Sequence, residues 1–402
     1  MTEYHLLLLL IIGYLVFSMD KKQNYFPVPV VLVLLGVVLS VIPFFQGVII
    51  TKEMLFTFFL PALLFISAYQ FSMQAWQKNK LIISSLSSIG LFLQVIILGL
   101  FIYIIGNGFL SISFIAALLI ASLLTPTDPV SVVNILKQAS SDKEDVADIV
   151  EGESMLNDGT SIVVFTVLLQ MYGQQASVHW LDFTQEFILV SFGGVVVGIA
   201  FGWLMSKAVH FTHHRQYQVM LSIIVAYGSF YLGEALHVSG VLATVTAGMM
   251  LSYEFGKNIK EAHFRESLDG FWGIVEPTLL SIIFLLIGIQ ATEYLQFSEW
   301  TLAFFVFVCT LLVRFMVITG MTQLHPAWRK MITVKDSGVI AWAGIKGTMS
   351  VALVLGLEAT LGADHFIVSL TFVVIILSFV VQSIGVYPIM KKLNSKGMSS
   401  SS

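Results

Sequence analysis

The chain has 402 residues, 57% of them hydrophobic and only 11% charged, with a mean hydropathy of +0.90. A soluble protein carries about 25% charged residues, so a water-soluble globule is excluded. The net charge of −4 shows no sign of nucleic-acid binding, and the single Cys309 excludes an intramolecular disulfide.

The apolar segments run to about twenty residues, the length of a membrane-spanning helix and not the ten-residue alternation of a barrel strand. The fold class is therefore all-α, a polytopic membrane protein with about 13 transmembrane helices. In chain order the predicted spans are 4–19, 27–45, 53–72, 81–105, 111–136, 147–171, 181–207, 217–236, 238–254, 267–290, 300–323, 336–360 and 364–390. The apolar run Leu6–Phe17 has no basic stretch before it and no small-residue cleavage site after it, so it is read as a retained helix. The serine-ended residues 391–402 are expected to form a short, irregular cytoplasmic tail.

Placing alternate loops on one side collects all the lysines and arginines except Lys52, which falls opposite, and Arg314 and Lys346, which fall inside spans. The positive-inside rule makes the crowded side cytoplasmic, with the N-terminus outside and the C-terminus inside. An odd number of spans permits an inverted repeat, in which spans 1–6 and 8–13 are copies and the seventh is a linker. The fifth and twelfth spans then correspond, and both are interrupted. The fifth carries Thr125-Pro126-Thr127-Asp128-Pro129, whose prolines remove backbone donors. The twelfth carries Ala343-Gly344-Ile345-Lys346-Gly347-Thr348, where glycines loosen the helix. Paired broken helices at matching positions of two halves point to a transporter's binding site.

Charge falls at both breaks and in the sixth span, at Glu151-Gly152-Glu153-Ser154-Met155-Leu156-Asn157-Asp158-Gly159. A carboxylate in hydrocarbon costs about 3 kcal/mol or more, so it is kept there only for a purpose. Asp158 lies near the middle of its span, and burial disfavours its charged form, so that it is expected to exchange its proton near physiological pH or lose it to a bound metal ion. Ser154, one turn back, shares its face. Asp128 offers a second carboxylate, and the unwound backbone at Thr127 a carbonyl. Such oxygens suit a hard monovalent cation, and a carboxylate that takes either a proton or a metal ion makes the two compete. Glu153 lies five residues before Asp158, so the two directions differ by about 140° and cannot serve one small site. Its expected partner is Arg314, in a structural ion pair, with Asn157 supporting by hydrogen bonds. Lys346 reads either as an electrostatic balance to the acids and helix ends or as a proton carrier, the first being preferred. These three acids and two bases leave one net negative charge, which one proton or one cation would neutralise. His210, His213 and His214 form a cytoplasmic cluster that reads as a solvated loop or a pH sensor. Glu276, ahead of Pro277, lines a funnel or pairs locally.

At these residues the chain resembles the sodium/hydrogen exchanger family, in its electroneutral bacterial branch. The resemblance rests on Thr127-Asp128-Pro129-Val130, the Glu151–Gly159 segment, Ser239-Gly240-Val241-Leu242-Ala243 and Phe284-Leu285-Leu286-Ile287-Gly288-Ile289-Gln290. It implies dimer-interface helices at about 1–80 and 217–290, an ion-transporting core at about 81–171 and 300–390, and a linker helix at about 181–207. It assigns ion binding to Asp158 and Asp128 with the Ser154 hydroxyl and Thr127 carbonyl, and a structural pair to Glu153 and Arg314. The Asn157-Asp158 pair implies one-for-one exchange. Two departures stand out: Ile66 where many relatives carry an acid, and Lys346 where they usually carry arginine, whose planar fork lysine lacks.

The expected function is antiport of Na⁺ (or Li⁺) for H⁺ by alternating access in the cell membrane, serving pH homeostasis. The chain is read as a homodimer in lipid, with no cofactor, no nucleic-acid partner and no enzyme activity. Exchange of K⁺ for H⁺ is the near rival. A cation channel lacks a readable carbonyl filter, and an intramembrane aspartyl protease would also need two buried aspartates but lacks a Gly-x-Gly-Asp element here.

Overall fold

A computed structural model describes residues 3–19, 27–109, 111–128, 133, 136, 144–174, 180–209, 214–257, 262–295, 298–361 and 365–398, and no strand occurs among them. The fold is all-helical. The first half comprises α1 (Glu3–Met19), α2 (Val28–Ser40), α3 (Leu60–Gln70), α4 (Met73–Ser85), α5 (Leu91–Gly106), α6 (Phe114–Leu123) and α7 (Glu144–Gln174). Then come α8 (Trp180–Val209), α9 (Arg215–Ala235), α10 (Gly240–Lys257), α11 (Ala262–Tyr294), α12 (Trp300–Leu324) and α13 (Pro326–Met331). The chain ends with α14 (Val334–Ala343), α15 (Thr348–Leu361) and α16 (His365–Met398).

Local chemistry explains several boundaries. Pro29 sits in the first turn of α2, where its missing N–H is not needed. The hydroxyls of Ser72 and Ser113 accept from Ala75 and Ala116 and cap α4 and α6. Thr333 and Asp336 form a reciprocal capping box that starts α14. A π-helical turn at Leu86–Gly90 joins α4 to α5, so that Met73–Gly106 forms one 34-residue helical stretch.

Among the described residues five helical stretches are long and apolar enough to cross a bilayer, and α14 with α15, bent by 49° at their break, makes a sixth. Three elements differ from the sequence expectation. The fourth helical stretch starts at Met73, not 81, and takes Lys78 and Lys80 out of the loop. Met, Gln, Ala and Lys are good helix formers, but this stretch is too polar to register as apolar. Lys78 there pairs with Asp145 across the surface at 2.5 Å. Helix α11 runs from Ala262 to Tyr294, longer at both ends than the expected span 267–290, with Pro277 inside it. Helix α16 reaches Met398, inside the tail expected to be irregular.

The helices pack in two sets. In one, α1 and α2 lie on α11, while α3 and α9 lie on α10. In the other, α4 and α6 lie on α7, α5 on α6 and α12, and α12 on α14 and α16. Helix α8 packs on α9 and α10 and also touches α7. The α2–α11 contact is set by Gly36 and Gly288: a Cβ on Gly36 would lie 2.3 Å from the Leu285 carbonyl, and one on Gly288 2.1 Å from that of Val33. Only glycine allows two helix backbones to approach so closely.

His210, His213, Lys137, Lys143, Pro129 and Val130 lie outside the described residues. His214, just before α9, sets its ring edge-on to Tyr217. Cys309 is half-buried in α12 among apolar neighbours.

Candidate functional site

The two interrupted segments meet. Helix α6 ends at Leu123, and residues 124–128 continue without helix. Residues 344–347 separate α14 from α15 in the same way. The Asp128 N–H donates to the Ile345 carbonyl at 2.7 Å, so one break supplies a partner to the other. Ser350 Oγ adds a longer bond, 3.4 Å, to the Pro126 carbonyl.

Each break places a charge against a helix end of opposite sign. Asp128 Oδ2 accepts from the Thr348 N–H at 3.3 Å and from the Thr348 hydroxyl at 3.2 Å, at the N-terminus of α15. Lys346 Nζ reaches the Thr125 carbonyl at 3.5 Å, just past the C-terminus of α6. Helix dipoles favour an anion at the first position and a cation at the second. Gly347 is required where the segments cross, since a Cβ there would lie 2.3 Å from Asp128 Cβ and 2.4 Å from Oδ2. Lys346 is held from behind as well: its N–H donates to Ser378 Oγ at 3.0 Å, Ser378 donates to Gln382 Oε1, and Gln382 Nε2 donates to the Trp342 carbonyl.

Helix α7 supplies the other wall. Ser154 Oγ donates to the Thr127 carbonyl, and Asn157 Nδ2 donates to Thr127 Oγ1 at 2.9 Å. Both oxygens of Thr127 are thus held by α7. Asp158 lies one turn beyond Ser154. The Oδ1 atoms of Asp158 and Asn157 are buried and have no hydrogen-bond partner among the described residues. A buried acceptor left so costs about 1–3 kcal/mol, which a proton or a cation at Asp158 would relieve. Gly159 next to it packs on Leu242 and Val241 of α10, and the Thr160 hydroxyl donates to the Ser87 carbonyl at 2.7 Å, in the π-helical turn.

Glu153 points away from this wall. Arg314 Nη1 and Nη2 donate to its two carboxylate oxygens at 3.0 and 2.6 Å, both side chains being buried. A Cβ on Gly344 would lie 2.2 Å from Arg314 Nε, so the guanidinium also presses against the second break. The pair therefore ties α7, α12 and the α14–α15 break together.

Asp128 and Asp158 line one cavity of about 360 Å³, with Ser154, Thr348, Glu151 and Glu276. Gln70, at the end of α3, also lines it and borders a second polar pocket reaching Tyr253 and Arg265. The cavity thus reaches the end of α3 at Gln70, beside the pocket that includes Arg265 near the start of α11. Lys346 does not line it. Thr348, Ser350, Ser378 and Gln382 are absent from the sequence-based site. The position of Thr348 directly after Gly347, at the start of a helix facing a break, was the available signal. Among the described residues no group of three or more His, Cys, Asp or Glu side chains is placed to hold a metal ion. Two carboxyls with neutral hydroxyl and carbonyl oxygens instead make a donor set for a loosely held hard cation.

Comparison with known proteins agrees across the chain. The family described as sodium/hydrogen exchanger, transmembrane, matches residues 6–392. The chain is 31% identical over 354 residues to the Na(+)/H(+) antiporter NhaP of Pseudomonas aeruginosa, covering 85% of this chain and 81% of that one. It is 27% identical over 401 residues to the Na(+)/H(+) antiporter NhaH of Halobacillus aidingensis, covering 96% and 97%. The structure of the sodium proton antiporter MjNhaP1 from Methanocaldococcus jannaschii at pH 8 superimposes with a TM-score of 0.77 at 20% identity, over 97% of this chain and 98% of that one, a likeness of fold. The chain belongs to the sodium/hydrogen exchanger family.

Proposed function

We propose that this protein is a secondary antiporter exchanging Na⁺ (or Li⁺) for H⁺, one for one, by alternating access of a single site. The observation that carries the reading is Asp158: it lines the cavity beside Asp128, with a buried oxygen that no described residue bonds. One carboxyl that is satisfied by either a proton or a cation couples the two fluxes, because each must leave before the other binds. Asp128, Ser154 and the Thr127 carbonyl complete the oxygen set. In the present arrangement Ser154 and Thr127 bond each other, and a cation bound there would replace that bond.

Lys346 then balances the helix ends as a fixed cation and does not shuttle the transported proton, since it reaches the Thr125 carbonyl and stands off the cavity. Glu153 and Arg314 hold the core together and touch no substrate. The packing sets correspond to a transporting core of α4–α7 and α12–α16 and a scaffold of α1–α3 and α9–α11, which also forms the interface of a homodimer. Thirteen crossings, with the lysine-rich loops cytoplasmic, make the present cavity inward-facing. Relatives named as Na⁺/H⁺ antiporters favour Na⁺ over K⁺ as the cargo.

The test uses inverted vesicles from cells expressing the protein, with Na⁺, Li⁺ and K⁺ added in turn and lumenal pH recorded. Wild type should dissipate the pH gradient on Na⁺ and Li⁺, and Asp158→Asn should not, while still purifying as a folded protein. Exchange retained in Asp158→Asn would overturn the site; exchange driven equally by K⁺ would overturn the cargo.

A further inference from the structure

The end of the molecule away from the cavity holds a polar chain that the ion site does not use. Tyr294, which closes α11, donates its hydroxyl to Glu358 Oε2 on α15 at 2.7 Å. It accepts from Gln290 Nε2 at 3.3 Å, and Gln290 Oε1 accepts from the Ile50 N–H at 3.1 Å. The Tyr294 ring stacks on Phe372 of α16, with centroids 4.6 Å apart. Tyr294, Gln290, Ile50 and Phe372 are all buried. Three elements agree on where this chain lies. Along α11, Tyr294 is about 27 Å beyond Glu276, which lines the cavity. Along α15, Glu358 is about 15 Å beyond Thr348, which contacts Asp128. Ile50 precedes α3, whose far end carries Gln70 at the cavity.

The bond joins the two packing sets. Helix α11 belongs with α1 and α2, whereas α15 starts at Thr348, carries the Asp128 contact and packs on α16. Any motion that carries Asp128 and α15 past α11 must pull Glu358 from Tyr294. A phenol–carboxylate hydrogen bond is charge-assisted and stronger than a neutral one, so it weights the balance towards the arrangement in which it is made.

We propose that the Tyr294–Glu358 hydrogen bond is a latch that closes the side of the site opposite the cavity, and that both are positioning residues of the exchange cycle. The bond is made while the cavity is open and breaks when the site turns to the other face. This rests on the alternating-access reading above. Losing the latch should raise the share of the opposite-facing form about tenfold, the effect of one charge-assisted bond.

The reporter is Leu355→Cys, placed on α15 between Thr348 and Glu358, in a Cys309→Ser background in proteoliposomes. A membrane-impermeant maleimide is added from the side opposite the cavity. Tyr294→Phe and Glu358→Gln should each raise the labelling rate about tenfold, and the double variant should do no more than either alone. Unchanged rates, additive increases, or a loss of thermal stability without faster labelling would overturn the latch. Val351→Cys serves as a second reporter. Independently, Tyr294→Phe without any reporter should lower the apparent KM for Na⁺ supplied on that side; an unchanged KM counts against the latch. Labelling needs no transport, so the two readings separate. Absent Na⁺/H⁺ exchange in wild type would refute antiport alone, and intact exchange with flat labelling would refute the latch alone.

Discussion

Replacing Glu153 with alanine leaves the Arg314 guanidinium buried without a counter-ion. Both side chains are almost wholly sequestered, at 1% and 2% exposure, and the two bonds of 3.0 and 2.6 Å are lost together. Arg314 Nε already has no partner among the described residues, so nothing nearby takes over the charge. Breaking a buried pair from one side costs about 3–5 kcal/mol. Arg314→Ala should cost a similar amount, because it strands the carboxylate and opens a void against Gly344. Arg314→Lys should recover little, since an ammonium cannot bond both oxygens in the fork geometry. The informative variant is Glu153→Leu with Arg314→Met, in which no charge is stranded; its stability should return close to wild type. Equilibrium unfolding of the purified variants in mixed detergent micelles reads these differences, and Na⁺ binding is measured on each folded variant. Single losses below about 1 kcal/mol, or losses that simply add in the double variant, would mean that the two side chains are not a coupled structural pair. So would a stable Glu153→Ala that no longer binds Na⁺, which would place Glu153 in the ion site.

Gly347→Ala forces a methyl into Asp128 and should abolish exchange, whereas Gly320→Ala, whose Cβ meets nothing within 4 Å, should leave exchange intact and be neutral or slightly stabilising. Vesicle assays and unfolding of the two variants side by side check this. Ser154→Ala removes the hydroxyl that bonds the Thr127 carbonyl and should raise the apparent KM for Na⁺ several-fold, with maximal rate less affected; initial rates across a Na⁺ series decide. Thr348→Val removes the hydroxyl that donates to Asp128 Oδ2 while keeping the backbone N–H donor. The carboxylate is then less firmly placed to hold a cation, so the apparent KM for Na⁺ should rise several-fold, as read from initial rates across a Na⁺ series.

Much of the fold is legible from apolar run length, because a helix in lipid must satisfy its own backbone. Most of the described helices overlap the ranges read from those runs, although α4, α11 and α16 extend beyond them. Where polarity hides a helix, as in Met73–Lys80, run length fails although helix propensity is good. The breaks are legible from Pro126, Gly344 and Gly347, and the 140° offset separates Glu153 from Asp158 by arithmetic alone. What cannot be read is the tertiary contact between the breaks. That the Asp128 N–H finds the Ile345 carbonyl, and that Thr348 donates to Asp128, depend on two segments far apart in sequence. Neutral residues such as Ser378 and Gln382 give no warning either, because serine in a membrane helix usually bonds its own backbone. Lys346 could be flagged as a buried charge, but its choice of the Thr125 carbonyl over the cavity is a matter of packing.

In the proposed antiport one carboxyl site holds a proton or a cation in alternation. Titrating Na⁺ into the purified protein in weakly buffered detergent, with pH and bound heat recorded together, tests it without a membrane. Wild type should release about one proton for each Na⁺ bound, and Asp158→Asn should show neither binding nor release. Saturable Na⁺ binding with no proton released at any pH would contradict it.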